Sequence, residues 1–427
     1  MGILSVPKNV QRSSNFVRYN PKSDRFKING FHHIEFWCGD ATNTSRCFSN
    51  GFGMPLVAKS DLSTGNLAHA SYLLRGGNLS LLFTAAYPPN LSTTKGISSA
   101  VIPTFDYETH LSFTTAHGLA VRAVAVDVED AGVAFYASVE AGANPVAEPV
   151  LLEGQVTISE VQLYGDVVLR YVSHANAYNG CLLPKFSPVN KDDNFNEFGI
   201  MGLDHVAACV PDLALTCDYI RAITGFHDFV EYDAEDMLGL TETAIKTVFM
   251  ANNNESLVLN VSEPVKGTER NSYAQTFLNH NKGSGVQHLA LLTNDIFKTV
   301  KEIKKRSGSG GFDFMPPPPS EYYKEMRKWA GDVLTEEQIL ECEKLSIKVD
   351  MDHEGVELQT FTIPIGDRPT LVLEIIQRIG CMVEGEDGKM YQKPACGGFG
   401  KGNVKRLVKS IEDYEKTLGL SDHDVLA

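Results

Sequence analysis

The sequence lacks any apolar run near the roughly 18 residues that a membrane-spanning helix requires. Its first twenty residues also lack the continuous apolar core of a secretory signal. Acidic residues outnumber basic ones: the chain has 53 Asp and Glu and 38 Lys and Arg, which gives a formal net charge of −15. These absences argue against membrane and nucleic-acid partners, and we expect a cytoplasmic protein that acts on a small molecule.

Short cysteine and histidine motifs are missing as well. The chain has no CxxC spacing, which argues against zinc-ribbon and thioredoxin-like sites, and it has no H-E-x-x-H helix of the zinc-peptidase type. In a chain of 427 residues we expect the eight cysteines to be reduced and mostly buried. They are Cys38, Cys47, Cys181, Cys209, Cys217, Cys342, Cys381 and Cys396.

What the chain does contain is an internal repeat. Three segments of the N-terminal half have counterparts in the C-terminal half, with similar patterns of strand, helix and glycine turn. The matched pairs are 31–34 with 203–206, 121–126 with 286–291, and 166–172 with 370–376. Such repetition indicates one supersecondary unit used several times, so an active site can degenerate in one copy while the fold survives.

The repeat divides the chain into two domains, joined by a polar linker with prolines at about 175–197. We predict an N-terminal domain at 1–180 and a C-terminal domain at 198–427, each built from two units. An insertion at 308–352, first rich in glycine and proline and then helical, interrupts the second domain. An amphipathic helix at 403–418 is expected to cover the mouth of that domain.

Two histidines and a glutamate distinguish the second half from the first. His205 and His288 lie on predicted strands of successive units, and Glu374 interrupts the apolar strand 371–376. A carboxylate among buried β-branched residues is costly unless it is paired or bound to a cation. Two imidazoles and one carboxylate on one face are typical of non-haem iron(II) oxygenases. Zinc is the competing metal, because the same ligand types also serve hydrolytic zinc sites.

The matching positions of the first half are His33, Ala123 and Arg170. An alanine offers no ligand atom, and an arginine repels a divalent cation. We therefore predict that the N-terminal half is metal-free and that each chain binds one metal ion. The His32–His33 pair is assigned a structural role.

Seven longer motifs supply a second line of evidence. They are 31–40 (FHHIEFWCGD), 59–65 (KSDLSTG), 163–171 (LYGDVVLRY), 285–290 (GVQHLA), 310–315 (GGFDFM), 366–378 (GDRPTLVLEIIQR) and 397–403 (GGFGKGN). In these motifs the chain resembles the plant 4-hydroxyphenylpyruvate dioxygenases, and the likeness covers nearly the whole sequence.

The resemblance implies an α+β fold of the vicinal oxygen chelate type, with two tandem barrel domains that each contain two βαβββ units. It implies Fe(II) held by His205, His288 and Glu374, one ion per chain, with molecular oxygen as co-substrate and no added 2-oxoglutarate. The implied reaction converts 4-hydroxyphenylpyruvate to homogentisate by decarboxylation, ring hydroxylation and side-chain migration. The resemblance also implies a role in tyrosine catabolism and in the supply of plastoquinone and tocopherol precursors. We also expect a homodimer.

The resemblance further assigns ten positions to the substrate pocket. Four of them match the family, as two phenylalanines that would sandwich an aromatic ring and two glutamines that would hydrogen-bond its polar groups or bound waters. These are Gln287, Gln359, Phe361 and Phe399. Six depart from the family, changing hydrogen-bonding groups or removing aromatic rings. These are Thr247, Asn260, Ser262, Tyr273, Val372 and Val404.

The six departures leave alternative functions open. A ring that is held differently could be oxidised at its benzylic carbon, as in a 4-hydroxymandelate synthase, because selectivity depends strongly on polar contacts. A second alternative is a related arylpyruvate that is distinguished by Ser262 and Tyr273. A third is a catalytically silent binding or scaffold protein, against which the intact set of three ligands argues.

Overall fold

Aspartates begin the helices that follow four of the strands. Asp40, Asp130, Asp212 and Asp295 each occupy the N-cap, and each side chain accepts a hydrogen bond from the main chain of the first turn. Such a cap stabilises a helix by about 1 kcal/mol. The strand–aspartate–helix junction therefore occurs four times, as expected of four copies of one unit.

The structure is a computed structural model that describes most of the chain. The described residues are 18–89, 100–175, 178–190, 195–232, 241–268, 270–331, 333–352, 355–385, 388–400 and 402–420. Residues 1–17, on which the expectation about a secretory signal mostly rests, lie outside the described ranges. Residues 191–194 of the predicted linker lie outside them as well. Within the described ranges, no helix is long and apolar enough to cross a membrane.

The N-terminal half contains two βαβββ units joined by helix α2. The first unit is β1 (Ile28–Trp37), α1 (Ala41–Phe52), β2 (Leu56–Ser60), β3 (His69–Gly76) and β4 (Leu79–Ala86). After α2 (Tyr107–His117), the second unit is β5 (Ala120–Val128), α3 (Ala131–Glu140), β6 (Pro145–Leu152), β7 (Val156–Tyr164) and β8 (Val167–His174). A short strand, β9 (Ser187–Pro188), then pairs with β2.

The C-terminal half repeats this order with additions. Its first unit is β10 (Ile200–Cys209), α4 (Leu213–Thr224), β11 (His227–Tyr232), β12 (Ile245–Ala251) and β13 (Val258–Pro264), followed by the joining helix α5 (Tyr273–Asn281). Its second unit is β14 (Gly285–Thr293), α6 (Ile296–Arg306), the inserted helices α7 (Ser320–Ala330) and α8 (Glu336–Leu345), β15 (Lys348–Met351), β16 (Gly355–Phe361) and β17 (Val372–Gly380). The hairpin β18 (Met382–Glu384) and β19 (Met390–Gln392) precedes the C-terminal helix α9 (Val404–Thr417).

The strand orders of the two main sheets match element by element. The N-terminal sheet has the order β6-β7-β8-β5-β1-β4-β3-β2, extended by β9. The C-terminal sheet, taken from its other edge, has the order β15-β16-β17-β14-β10-β13-β12-β11. In both sheets the two units meet through an antiparallel pair, β1 with β5 and β10 with β14. The predicted α+β fold of two tandem βαβββ barrel domains is confirmed.

The strand registers also reproduce the residue correspondence read from the repeat. His33 lies opposite Ala125 as His205 lies opposite Ala290. In the parallel pairs that follow, Ala125 is the partner of Arg170 as Ala290 is the partner of Glu374. An arginine in the first sheet thus occupies the place that a glutamate has in the second.

The structure corrects the expectation that all eight cysteines are reduced. Cys381 and Cys396 form a disulfide, with their Cα atoms 5.7 Å apart. The pair flanks the β18–β19 hairpin, which brings together residues that are 15 positions apart in the chain. No short cysteine spacing predicted this contact. The other six cysteines are free thiols.

The predicted insertion is shorter than 308–352. Lys348–Met351 forms strand β15, which pairs with β16 in the main sheet, as β6 pairs with β7 in the first half. The inserted part therefore ends before residue 348. This short strand escaped recognition because the inward position of Lys348 breaks the apolar alternation expected of a half-buried strand.

Candidate metal centre and substrate cavity

Three neighbouring strands bring the predicted metal ligands together. His205 lies on β10, His288 on β14 and Glu374 on β17, and these strands are adjacent in the order β10-β14-β17. Antiparallel pairing places His288 opposite Ala207, two residues from His205. Parallel pairing places Glu374 beside Ala290, two residues from His288. Because side chains alternate between faces along a strand, all three enter the interior of the same barrel.

The ligand atoms of these residues form a nearly equilateral triangle. Nε2 of His205 is 3.3 Å from Nε2 of His288 and 3.4 Å from Oε2 of Glu374, and the third side, from His288 Nε2 to Glu374 Oε2, is 3.7 Å. A circle through three points with these separations has a radius of about 2.0 Å. Histidine nitrogen and carboxylate oxygen bind a divalent ion such as zinc at about 2.0–2.2 Å. The triangle therefore fits one metal ion.

The burial of the three groups supports the same fit. Glu374 is 2% exposed, and burial raises its pKa to about 7. Burial also holds the pKa of His288 well below its usual value, so this imidazole is neutral and has a lone pair for a metal. A divalent cation restores the charged form of a buried carboxylate. Among the described residues, these three are the one group of His, Cys, Asp and Glu side chains arranged to bind a metal.

Each histidine is oriented by its predecessor in the chain. Nδ1 of His205 lies 2.9 Å from Oδ1 of Asp204, and Nδ1 of His288 lies 2.6 Å from Oε1 of Gln287. Both contacts place the proton on Nδ1 and leave Nε2 free to bind a metal. A partner of this kind fixes the ring orientation and increases the basicity of the ligand.

Asp204 is in turn held by a buried arginine. Nε and Nη2 of Arg378 donate to the two carboxylate oxygens of Asp204 at 2.6 and 2.8 Å. Burial disfavours the charged form of Asp204, but Arg378 outweighs this effect and holds the pKa of the carboxyl well below its usual value. Nη1 of Arg378 also donates to the carbonyls of Cys396 and Gly398, beside Phe399. Arg378 therefore links Asp204, which orients the predicted ligand His205, to the cavity wall around Phe399.

The corresponding place in the first half is occupied by an arginine. Arg170 is 1% exposed and donates through Nη1 to Nε2 of His33 at 3.0 Å. It also forms ion pairs with Glu35 at 2.6 Å and Glu160 at 2.7 Å. The guanidinium of Arg170 thus occupies the interior of the N-terminal barrel. The arrangement agrees with the prediction of a metal-free N-terminal half, which stays a prediction.

A small cavity of about 50 Å³ lies beside the predicted metal ligands in the second half. Eight of the ten predicted pocket residues line it, namely Thr247, Asn260, Ser262, Tyr273, Gln359, Phe361, Phe399 and Val404. Gln287 and Val372 do not. Gln287 instead contacts His288, and Val372 packs in a buried cluster with Phe361.

The aromatic walls of the cavity lie against the predicted metal ligands. Phe399 stacks on Phe249 with a centroid separation of 4.2 Å and meets the ring of His205 edge-on at 5.5 Å. Phe361 meets the ring of His288 edge-on at 5.6 Å. Phe249 was missed from the sequence because its strand gives no signal beyond that of an ordinary core strand.

A polar cluster forms another wall. The hydroxyl of Thr247 lies 2.7 Å from that of Ser262, and each hydroxyl donates to Oδ1 of Asn260 at 3.1 Å. Burial raises the pKa of the Tyr273 phenol, and a hydrogen bond with Ser262 acts in the opposite direction. Four of the six positions that depart from the family pattern therefore form one connected group.

Glu357 is a further cavity residue that the sequence analysis missed. It is 1% exposed, and Oε2 of its carboxyl has no hydrogen-bond partner among the described residues. Its place on β16, two and four residues before Gln359 and Phe361, is a period-two signal that could have identified it. The other missed lining residues are Ile245, Gly400, Asn403 and Leu407.

Helix α9 closes the cavity, as predicted. Val404 and Leu407 of this helix line it. Glu412 of α9 accepts hydrogen bonds from the main chain of Glu242 and from the main chain and hydroxyl of Thr243 at 2.8–3.0 Å. The next turn forms a buried ion pair from Glu415 to Arg270 at 2.6 Å.

Comparisons with known proteins agree with this geometry. Residues 204–325 match the Glyoxalase/Bleomycin resistance protein/Dioxygenase superfamily. The chain is 57% identical over 407 residues to a 4-hydroxyphenylpyruvate dioxygenase of Plectranthus scutellarioides, covering 95% of this chain and 92% of the relative. It is 54% identical over 410 residues to that of Arabidopsis thaliana, with the same coverage. A solved triple mutant of 4-hydroxymandelate synthase from Streptomyces coelicolor has a TM-score of 0.73 at 23% identity, covering 91% of this chain and 99% of that one. At this identity the last likeness shows the fold alone.

Proposed function

The chain belongs to the 4-hydroxyphenylpyruvate dioxygenase family, and on that premise we propose that it converts 4-hydroxyphenylpyruvate and molecular oxygen to homogentisate and carbon dioxide. The observation that carries the proposal is the triangle of His205, His288 and Glu374 ligand atoms beside an aromatic-walled cavity. This ligand set is typical of iron(II) oxygenases and leaves positions open for substrate and oxygen.

In this proposal His205, His288 and Glu374 hold one Fe(II) per chain. The ion, when bound, supplies the chelation of a 2-oxo acid and the activation of oxygen, so no added 2-oxoglutarate is needed. The protein provides the rest. Asp204 and Gln287 keep the imidazoles in one tautomer and one orientation.

The cavity walls hold the ring in this proposal. Phe361 and Phe399 offer apolar faces to an aromatic ring, and Gln359 offers an amide to its polar groups. The Thr247–Asn260–Ser262 cluster presents hydroxyl and amide groups to another side. Such fixed polar contacts decide which ring carbon lies nearest the metal.

Substrate entry requires movement of helix α9. The cavity of about 50 Å³ is far smaller than the roughly 300 Å³ or more of typical small-molecule sites. Val404 and Leu407 occupy the space next to the metal ligands, so an outward shift of the helix enlarges the cavity most directly. Return of the helix then excludes water from the bound substrate.

The decisive experiment is a product assay. Iron-loaded protein is incubated with 4-hydroxyphenylpyruvate, and the product is identified by chromatography and mass spectrometry. Homogentisate is expected. A yield of 4-hydroxymandelate, or no turnover at all, would overturn the proposal. The fold-level likeness to 4-hydroxymandelate synthase does not by itself favour that product.

The metal assignment has a matched pair of variants. His205→Gln removes a predicted ligand, whereas His33→Gln changes the repeat-equivalent residue and keeps an acceptor for Arg170. Metal analysis is expected to show about one iron per chain in the wild type and in His33→Gln, and strong loss in His205→Gln. Two ions per wild-type chain would refute the metal-free N-terminal domain at 1–180.

The assembly and compartment complete the proposal. We propose a homodimer that works in the cytoplasm, with 198–427 as the catalytic domain. Light scattering after gel filtration tests the mass in solution, and fluorescence microscopy of the tagged protein tests the compartment. A monomeric mass or an organellar signal would contradict the respective part.

A further inference from the structure

A second cavity, of about 840 Å³, lies between the two halves of the chain. We call it the interdomain cleft. Its N-terminal wall includes His32, His33, Arg75 and His174, and its C-terminal wall includes Leu203. None of its lining residues is an aspartate or glutamate, although acidic residues outnumber basic ones by 53 to 38 in the chain.

The three histidines of the cleft form a directed hydrogen-bond relay. It begins at Arg170, which can only donate, so Nε2 of His33 accepts and the His33 proton lies on Nδ1. Nδ1 of His33 donates to Nδ1 of His32 at 2.6 Å, and Nε2 of His32 then donates to Nε2 of His174 at 3.3 Å. The proton of His174 is consequently on Nδ1, and no described residue accepts from it, so this residue of the cleft wall has a free donor.

Stacking holds the last ring of the relay in place. The ring of His174 stacks on His32 at 5.0 Å and on Tyr178 at 5.3 Å, with interplanar angles of 30° and 14°. A donor on a fixed ring is preorganised for a ligand acceptor, because little conformational freedom is lost on binding.

Arg75 provides a positive charge in the same cleft. It is partly buried, and it donates to the hydroxyl of Ser80 at 3.3 Å and to the carbonyl of Cys181 at 2.5 Å. It forms no ion pair with any carboxylate that the structure describes, in contrast to the buried Arg170, which has two. A partly buried arginine without a carboxylate favours an anion as its partner.

A metal ion is the less suitable occupant. The Nε2 atoms of His32 and His174 are as far apart as those of His205 and His288. However, the relay places a proton between them. Among the described residues, His33 does not complete a set of three ligand atoms with His32 and His174, because the one such set is in the other half.

We propose that the interdomain cleft binds a small organic carboxylate, whose oxygens accept from the Arg75 guanidinium and from Nδ1–H of His174. Phe31, Leu182 and Leu203 supply apolar surface in the same cleft for the body of the ligand. A planar carboxylate matches the fork of an arginine. The interdomain cleft is separate from the metal centre, with no lining residue in common.

Calorimetric titration of the iron-loaded protein with phenylacetate tests the proposal, and inorganic phosphate serves as a second probe. The variants are Arg75→Gln and His174→Gln, with Arg46→Gln as the matched control, because Arg46 is exposed and outside the cleft. Phenylacetate binding is expected to weaken at least tenfold in both cleft variants and to be unchanged in Arg46→Gln. Turnover of 4-hydroxyphenylpyruvate is expected to stay unchanged, which separates cleft binding from binding at the metal centre.

Each other result has a definite meaning. Equal phenylacetate affinity in the wild type and both cleft variants would place the ligand elsewhere and overturn the proposal. Phosphate binding without phenylacetate binding would refute an organic ligand, and no binding of either probe at millimolar concentration would refute the anion site. If Arg75→Gln fails to fold, Arg75→Lys retains the charge without the planar fork, and a smaller loss of phenylacetate affinity is expected.

Discussion

Replacing Asp204 with asparagine tests whether the buried carboxylate tunes the metal centre. The change keeps the shape of the side chain and removes its charge. An asparagine oxygen can still accept from Nδ1 of His205, but the amide NH₂ then faces Nε of Arg378, where the native oxygen accepts at 2.6 Å. Two donors oppose each other, and the guanidinium loses its bidentate partner.

Two magnitudes follow from these contacts. Breaking a buried ion pair by removing one partner costs about 3–5 kcal/mol. We expect a loss near 3 kcal/mol, since Arg378 keeps its two carbonyl acceptors and lies 4.0 Å from Glu357. Mutation of a residue that hydrogen-bonds a metal-binding histidine lowers metal affinity about 10–100-fold, which corresponds to about 1.4–2.8 kcal/mol.

Urea unfolding of the metal-free protein measures the first quantity, and competition with a chelator measures the second. The matched control is Asp228→Asn, because Asp228 accepts from Nη2 of Arg221 through both oxygens, at 2.9 and 3.1 Å, in a partly exposed setting. Exposed pairs contribute about 0–1 kcal/mol, and this variant leaves metal affinity unchanged. Wild-type metal affinity in Asp204→Asn would refute the contribution of the carboxylate charge to metal binding, and equal destabilisation by both variants would refute the argument from burial.

Three further predictions concern the relay, the C-terminal helix and the cavity. Burial lowers the pKa of His32 to about 3, and the nearby His174, Arg170 and Arg75 act in the same direction. Between pH 3 and 6.5 the unfolded chain therefore binds a proton that the folded chain does not. The free energy of unfolding falls as the pH decreases through this range. From pH 7 to pH 5, urea unfolding should show that the wild type loses about 2 kcal/mol more stability than a His32→Asn variant, and equal losses would contradict the shift. Glu412→Ala should destabilise α9 by about 1–3 kcal/mol, which faster amide hydrogen exchange over Val404–Thr417 would reveal. The control Asp413→Ala removes an exposed side chain paired with Lys409 and should change the exchange rates little. Equal exchange rates in both variants would refute the anchoring role of Glu412. Val404→Phe should raise KM roughly tenfold in steady-state kinetics, because the larger side chain fills the cavity. Val372→Phe should instead reduce the free energy of unfolding in urea by about 1–3 kcal/mol. The reverse pattern would contradict the assignment of Val404, and not Val372, to the cavity wall.

The repeat was the part of the fold most accessible from the sequence. Matched strands carry the same alternation of buried residues in both halves, so the sequence alone aligns His205, His288 and Glu374 with His33, Ala123 and Arg170. The registers then reproduced that alignment. Local periodicity sufficed because each ligand lies on a regular strand.

Contacts between distant segments were not accessible in the same way. Asp204 and Arg378 are 174 residues apart, and no local pattern links them, although Asp204 directly precedes a predicted ligand. Cys381 and Cys396 likewise meet through a hairpin whose formation no spacing rule predicts. Lys348 was read as part of an insertion because a buried lysine contradicts the usual strand pattern. In each case a charged or reactive side chain is placed by tertiary structure.

The two halves show two ways of balancing buried charge in the same barrel. In the first half the Arg170 side chain pairs with Glu35 and Glu160 and donates to His33. The buried charges of this barrel are therefore paired within the chain itself. In the second half the equivalent position is Glu374, whose carboxylate forms no ion pair with a lysine or arginine among the described residues, and burial raises its pKa to about 7. The differences at two matched sheet positions, Arg170 against Glu374 and Ala123 against His288, thus predict a first domain closed to metal ions and a second domain that requires one. Catalysis is possible where the charge balance is left open, because a bound ion can have free coordination positions and a guanidinium cannot.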